Sequence, residues 1–191
     1  MIETLRHIDQ QVFYFINQTL ANPGLDFVCL TLRGTRFLAF WYISLGFFIY
    51  HQYPRHFLKI VIAGAITFLL TDQLSAHVVK PIFHRIRPCN NPEILSRLIA
   101  DHCGAGWSFI SAHATNSFGI AAFISAFRTN KQTILVLSTW ATLVGFSQVY
   151  VGVHFPADII GGALLGVCIG ATTGTILKRY IGSQKAPTEA L

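Results

Sequence analysis

Five long apolar segments run through this chain, at residues 35–50, 57–79, 111–127, 132–151 and 156–177. No other feature of the sequence constrains the fold as much. A helix needs about 20 predominantly apolar residues, within a range of about 17–25, to cross the hydrocarbon core of a bilayer. The last four segments reach that length, and 35–50 falls just short. The chain is 52% hydrophobic and only 12% charged, against about 25% charged residues in a typical soluble domain. Its 191 residues therefore read as one membrane-embedded domain.

Residues 5–20 follow a different pattern. Leu5, Ile8, Val12, Phe13, Ile16 and Leu20 recur at helical spacing among polar neighbours, as in an amphipathic helix lying in the membrane interface. Asn22-Pro23-Gly24 breaks it. Residues 25–33 are open between a short helix and part of a sixth span. The expected fold is all-α: an integral-membrane bundle of five to six transmembrane helices plus an N-terminal amphipathic helix. The opening MIETLRHIDQ lacks the basic-then-apolar order of a cleaved signal peptide. Residues 181–191 read as a loose tail.

The net charge is +6. Its basic residues sit at the ends of apolar segments and build no separate basic domain, which argues against nucleic acid as a partner. The bilayer and phosphate groups suit them better. With five spans, one face carries Arg55, Lys59, Arg128, Lys131, Lys178, Arg179 and Lys185. The other carries Arg6, Arg33, Arg36, Lys80, Arg85, Arg87 and Arg97. Setting aside Lys80 and Arg87, which belong to a candidate site, tips the balance toward the first face. The positive-inside rule then places the long polar connection, residues 80–108, outside the cytoplasm.

That connection opens KPIFHRIRP. Lys80, Arg85 and Arg87 lie within eight positions at a membrane boundary. They could be snorkelling anchors or a phosphate clamp, because the planar fork of Arg matches phosphate oxygens and Lys adds a point charge. WSFISAHATNSFG follows. Ser111, His113, Asn116 and Ser117 are polar at the start of an apolar helix, where free N–H groups favour an anion. Then comes SQVYVGVHFPAD. Pro156 suits a first helical turn, and the spacing of His154 and Asp158 lets the carboxylate reach one imidazole nitrogen. The other nitrogen would be left as a nucleophile. No further ligands stand at zinc-like spacing, so no metal is expected.

Together these stretches resemble the three-part signature of the type-2 phosphatidic-acid phosphatase superfamily, which also includes the larger, soluble vanadium haloperoxidases. The parts are Lys80-x6-Arg87-Pro88, Ser111-Ala112-His113 and Ser147-x6-His154-x3-Asp158, within residues 60–177. Two positions depart from the family pattern. Ile110-Ser111-Ala112-His113 replaces the usual Pro-Ser-Gly-His, and Gln148 stands where the family places an arginine. The resemblance implies a membrane lipid phosphatase with its site at one membrane face and without metal or cofactor; with the basic-residue count, that face is expected to be the periplasmic side of a bacterial inner membrane. It implies a substrate such as undecaprenyl diphosphate, a lipid A phosphate, phosphatidylglycerol phosphate or phosphatidic acid. It further implies that His154 attacks phosphorus, Asp158 orients it and His113 protonates the leaving oxygen. Lys80, Arg87, Ser111, Ala112 and Gln148 would then hold the phosphate, with Arg85, Arg97 or His102 available to make up the charge missing at Gln148. The alternative is a catalytically impaired member that binds or transports lipid.

Three other features are legible. Gly162, Gly166, Gly170 and Gly174 form a stripe that lets helices approach closely in lipid. Asp72 is either functional or one end of an interhelical hydrogen bond. Cys89 and Cys103 share the long connection and are expected to form a disulfide if it faces an oxidising compartment.

Overall fold

The computed structural model describes residues 2–128 and 130–183. All regular structure among them is helical. Helix α1 (Ile2–Tyr14) runs into a wide turn, Phe15–Thr19. The Asn22-Pro23 pair both stops that helix and starts the next. The Asn22 side chain accepts from Leu25 N at 2.9 Å, and Pro23 occupies the first turn of α2 (Pro23–Arg33). At 11 residues, α2 is too short to span, which settles the open reading of residues 25–33.

Helix α3 (Thr35–Gln52) leads through a tight turn into α4 (Phe57–Gln73). A wide turn, Leu74–Val79, joins α4 to α5 (Lys80–Phe83), so residues Pro54–Phe83 form one helical column of 30 residues. Lys80 is therefore on a helix and not at the start of the polar connection, where the sequence reading places it. The connection proper runs from His84 to Ser111. Beyond it lie α6 (Ala112–Phe127), α7 (Lys131–Tyr150) and α8 (Pro156–Ser183). Helix α8 carries on past residue 177 and includes Ile181 and Gly182, the first positions assigned to a loose tail. Residues 184–191 lie outside the described residues.

Among the described residues, three helical columns are long and apolar enough to cross a membrane: Pro54–Phe83, Lys131–Tyr150 and Pro156–Gly182. Helix α3, at 18 residues, and α6, at 16, stand in the same bundle. Helix α6 is the hub, packed against α4, α7 and α8. Ile160, Leu164, Val167 and Ile176 of α8, and Phe40, Ile43 and Phe47 of α3, point outward, as lipid contact requires.

The glycine stripe explains the tightest contact. A Cβ on Gly166 would lie 2.3 Å from the Thr115 carbonyl oxygen, and one on Gly170 would lie 2.0 Å from that of Gly119. Only hydrogen fits there, so the backbones of α6 and α8 touch. Polar contacts add register in lipid. Thr67 and Thr173 hydroxyls meet at 2.8 Å. Asn116 accepts from Thr71 at 2.7 Å and donates to Asp72 at 3.1 Å. Asp72 thus does make an interhelical hydrogen bond.

The apolar residues of α1 divide between two faces. Leu5, Ile8 and Val12 are exposed, joined by Phe15, while Phe13 is fully buried against Phe155 at 5.3 Å between ring centroids. The exposed stripe suits an interfacial helix. The inner stripe ties that helix to the end of the bundle where the candidate site lies.

Candidate active site

The long connection crosses the N-termini of α6 and α8 at one end of the bundle. Helix α7 ends at Tyr150, and residues 151–155 turn the chain into α8. Gly152 has a φ of +88°, and a Cβ there would lie 2.8 Å from the Arg97 carbonyl oxygen, so both conformation and space demand glycine. The Gln148 carbonyl accepts from Val153 N and His154 N, each at 3.2 Å. His154 is buried at the end of this turn.

Asp158, in the first turn of α8, uses both carboxylate oxygens. Its Oδ2 accepts from Phe155 N at 2.9 Å and from the Ser108 hydroxyl, and stands 3.3 Å from His154 Nδ1. Ser108 Oγ is itself 3.3 Å from Nδ1. Arg85 Nη1 donates to Asp158 Oδ1 at 2.7 Å. On the other side of the ring, Arg87 Nη1 is 3.3 Å from His154 Nε2. A guanidinium can only donate, so Nε2 carries the lone pair and Nδ1 the proton. Burial pushes the His154 imidazolium pKa down, against the opposing pull of Asp158. The ring is accordingly neutral, with its free nitrogen toward a cation.

Arg87 is loosely held. It donates to the carbonyls of Gly106 at 3.3 Å, Ala105 at 3.4 Å and Val153 at 3.5 Å, all beyond the usual 2.7–3.2 Å. An incoming anion can draw it away. Lys80, at the end of the α4–α5 column, lies within electrostatic range of Arg87, Asp158 and Asp72. His113, in the first turn of α6, lies within range of His154, Lys80 and Arg87. Ser111 caps α6, its hydroxyl accepting from Ala114 N at 3.5 Å. The N–H groups of Ala112 and His113 have no acceptor within the helix and favour an anion. The fold thus gathers every residue of the sequence signature at one end of the bundle.

Gln148 is fully buried beneath the turn, its amide donating to Ser147 Oγ at 3.4 Å. Two of the cations expected to make up its missing charge are engaged elsewhere. Arg85 is paired with Asp9 and Asp158. Arg97 donates to Asp26 at 2.6 and 3.1 Å and to Tyr150 at 3.2 Å. His102 is exposed. A third arginine is better placed. Arg33, at the end of α2, lies within electrostatic range of His113 and Arg87, and its Nε is buried without a hydrogen-bond partner among the described residues. Sequence reasoning also missed Ser108 and Asp9. Ser108 lies next to quoted motif residues, yet its partners are 46 and 50 positions away, a separation no local spacing reveals. The expected disulfide is present between Cys89 and Cys103, with Cα atoms 5.8 Å apart.

The family model described as the PAP2 superfamily matches residues 56–181, which contain all of the signature residues. The chain belongs to the PAP2 superfamily. Its relatives include a lipid A 4'-phosphatase of Bacteroides thetaiotaomicron, 30% identical over 87% of this chain and 75% of that protein. A lipid A 4'-phosphatase of Porphyromonas gingivalis is 30% identical over 88% of this chain and 72% of its own length. LpxE of Aquifex aeolicus shares the fold with a TM-score of 0.62 at 24% identity, over 85% of this chain and 92% of that one. A PAP2-type phosphatidylglycerolphosphate phosphatase from Bacillus subtilis does so with a TM-score of 0.65 at 21% identity, over 97% and 89%. The chain is a multi-pass membrane protein and a lipid phosphatase. Nothing in these comparisons favours a lipid-binding or transport protein without activity.

Proposed function

We propose that this PAP2 protein removes a phosphate monoester from a lipid A-type saccharolipid by a metal-independent, two-step reaction through phosphohistidine. The observation that carries the chemistry is the position of His154. One ring nitrogen faces the Asp158 carboxylate and the other faces Arg87. The lipid phosphate displaces the loosely held Arg87 from Nε2 and takes its donors. Lys80, Ser111, the N–H groups of Ala112 and His113, and Gln148 complete the phosphate site. His154 Nε2 then attacks phosphorus and the P–O bond to the lipid breaks. His113 gives its proton to the leaving oxygen, and Asp158 stabilises the positive charge on the phosphorylated ring. Water next attacks phosphorus, loses its proton to His113 and breaks the P–N bond, releasing inorganic phosphate. Phosphoryl transfer asks mainly for positioning and charge stabilisation, which these groups supply.

Arg33 supplies the charge absent at Gln148. The substrate class rests on the two relatives named lipid A 4'-phosphatase, each 30% identical over most of this chain. The distribution of basic residues supports placing the site on the outer, periplasmic face of an inner membrane. The Cys89–Cys103 disulfide in the same connection supports it, since such bonds persist in oxidising compartments.

Purified protein in detergent with EDTA would be given bisphosphorylated lipid A, phosphatidic acid, phosphatidylglycerol phosphate and undecaprenyl diphosphate. Phosphate release should be fastest from lipid A and unaffected by the chelator, and radiolabelled phosphate should be trapped on His154. A preference for a glycerophospholipid or diphosphate overturns the substrate. Restoration of chelated enzyme by Mg²⁺, or full activity in His154→Ala, overturns the mechanism.

A further inference from the structure

The residues of the phosphatase signature lie within residues 56–181, but the carboxylate behind the nucleophile is held by a chain of contacts that leaves that region. Asp158 Oδ1 accepts from Arg85 Nη1 at 2.7 Å. The other terminal nitrogen of Arg85 donates to Asp9 on α1. The second oxygen of Asp9 accepts from Ala157 N at 2.8 Å, an N–H in the first turn of α8 and next to Asp158. The Arg85 guanidinium also lies over the Phe155 ring, 4.1 Å from its centroid. Asp158 is completely buried, and the side chains of Asp9 and Arg85 are 10% and 25% exposed.

We infer that Asp9 and Arg85 are positioning residues for the hydrolysis, carrying the N-terminal helix's hold on α8 through to the Asp158–His154 pair. The inference rests on the reading of His154 as nucleophile. Arg85 fixes Oδ1, so Oδ2 is the oxygen turned to the imidazole. A single arginine against a single aspartate would largely neutralise it. Asp9 shares the guanidinium and leaves Asp158 with negative charge to offer the imidazolium or phosphohistidine. The bridge from Asp9 to Ala157 N also fixes α1 against the start of α8. The exposed Leu5, Ile8, Val12 and Phe15 stripe seats the same helix on the membrane, so the support of the nucleophile begins on the interfacial helix.

The two substitutions act on His154 in opposite directions. Around the ring stand Asp158 from α8, Arg87 from the connection, Lys80 from the α4–α5 column and His113 from α6. Arg85 acts on it through Asp158 and Asp9 acts through Arg85. Arg85→Gln releases Asp158 to attract a proton on His154, and Asp9→Asn lets Arg85 neutralise Asp158 more fully.

The test uses full-length protein in detergent and whichever of the four lipid phosphates above the wild type hydrolyses fastest, with histidine C2 hydrogen exchange followed by mass spectrometry on the His154 peptide. Asp9→Asn and Arg85→Gln should each lower kcat at least about tenfold with KM within about twofold, as misplacement of a catalytic group does. The His154 exchange midpoint should rise in Arg85→Gln and fall in Asp9→Asn. Asp9→Glu, which keeps the charge, should recover most of kcat and serves if Asp9→Asn does not fold. Midpoints that stay put or move together, or wild-type kcat in folded Asp9→Asn, overturn the inference. A fully active His154→Ala would instead overturn the nucleophile assignment, so the two failures are distinguishable.

Discussion

The α6–α8 contact can be broken with one methyl group. In Gly166→Ala the new Cβ would lie 2.3 Å from the Thr115 carbonyl oxygen, 2.9 Å from Gly119 N and 3.1 Å from the Thr115 carbonyl carbon. All three are backbone atoms, so no side chain can rotate away. Ordinary contact begins at 3.4 Å, and the helices must part by roughly 1 Å, an overpacking that typically costs about 1–3 kcal/mol. Helix α6 carries His113 and is capped by Ser111 while α8 carries Asp158, so the same movement separates the proton donor from the nucleophile's support. A displacement of about 1 Å in such a constellation can cost about 10²-fold in rate. Gly46→Ala is the control, because nothing lies within 4 Å of its added Cβ. Thermal unfolding and kcat would be measured for both variants in one detergent. Gly166→Ala should melt earlier and lose most of its turnover, while Gly46→Ala stays at wild type in both. Wild-type kcat and melting temperature in Gly166→Ala would show that α6 and α8 do not meet backbone to backbone.

His113→Ala should lose about 10²–10⁴-fold on a lipid phosphate, the usual contribution of a positioned acid, and much less on p-nitrophenyl phosphate, whose leaving group needs no proton. Equal losses on both would remove His113 from that role. Burial lowers the His154 pKa, so the midpoint of its C2 hydrogen exchange should fall below the ordinary value of about 6.5, leaving the ring neutral and nucleophilic as pH drops through that value. A midpoint at or above 6.5 refutes this. Cys89→Ser should lower stability by about 3 kcal/mol, the chain-entropy cost of opening a loop of about 15 residues. Alkylation without reductant followed by mass spectrometry should label neither Cys89 nor Cys103 in the wild type, and labelling of both rules out the bridge. Arg33→Gln should weaken vanadate inhibition by about tenfold or more, as loss of a hydrogen bond to a charged group does, and adding Gln148→Arg should restore part of it. An unchanged inhibition constant in Arg33→Gln would take Arg33 out of the phosphate site.

What the sequence discloses here follows from how far apart the interacting residues lie along the chain. The His154–Asp158 pair is one helical turn, so spacing alone brings it together. Membrane spans are equally local, because their length and apolarity are set by the bilayer. Gly162, Gly166, Gly170 and Gly174 reveal a close helix contact by their period, but not that the partner is the α6 backbone at Thr115, Gly119 and Phe123. Lys80 looked like a loop residue because charge gathers around it, yet the α4–α5 column carries helical hydrogen bonding through to Phe83. Arg85 was misread for a different reason. From the sequence it was a spare cation beside a phosphate clamp, and nothing local says that its partners are Asp9, 76 positions away, and Asp158, 73 positions away. The same holds for Arg97, pinned to Asp26 and Tyr150 across 71 and 53 positions.

These long-range pairs share a physical logic. A charge at the membrane boundary is costly unless compensated, and two half-buried arginines find acids far off in the sequence. Arg85 finds two, Arg97 finds Asp26, and Arg87 finds only long contacts to carbonyls. The cation against the nucleophile's free nitrogen is thus held by long contacts alone. That is where an incoming phosphate would supply the missing anion.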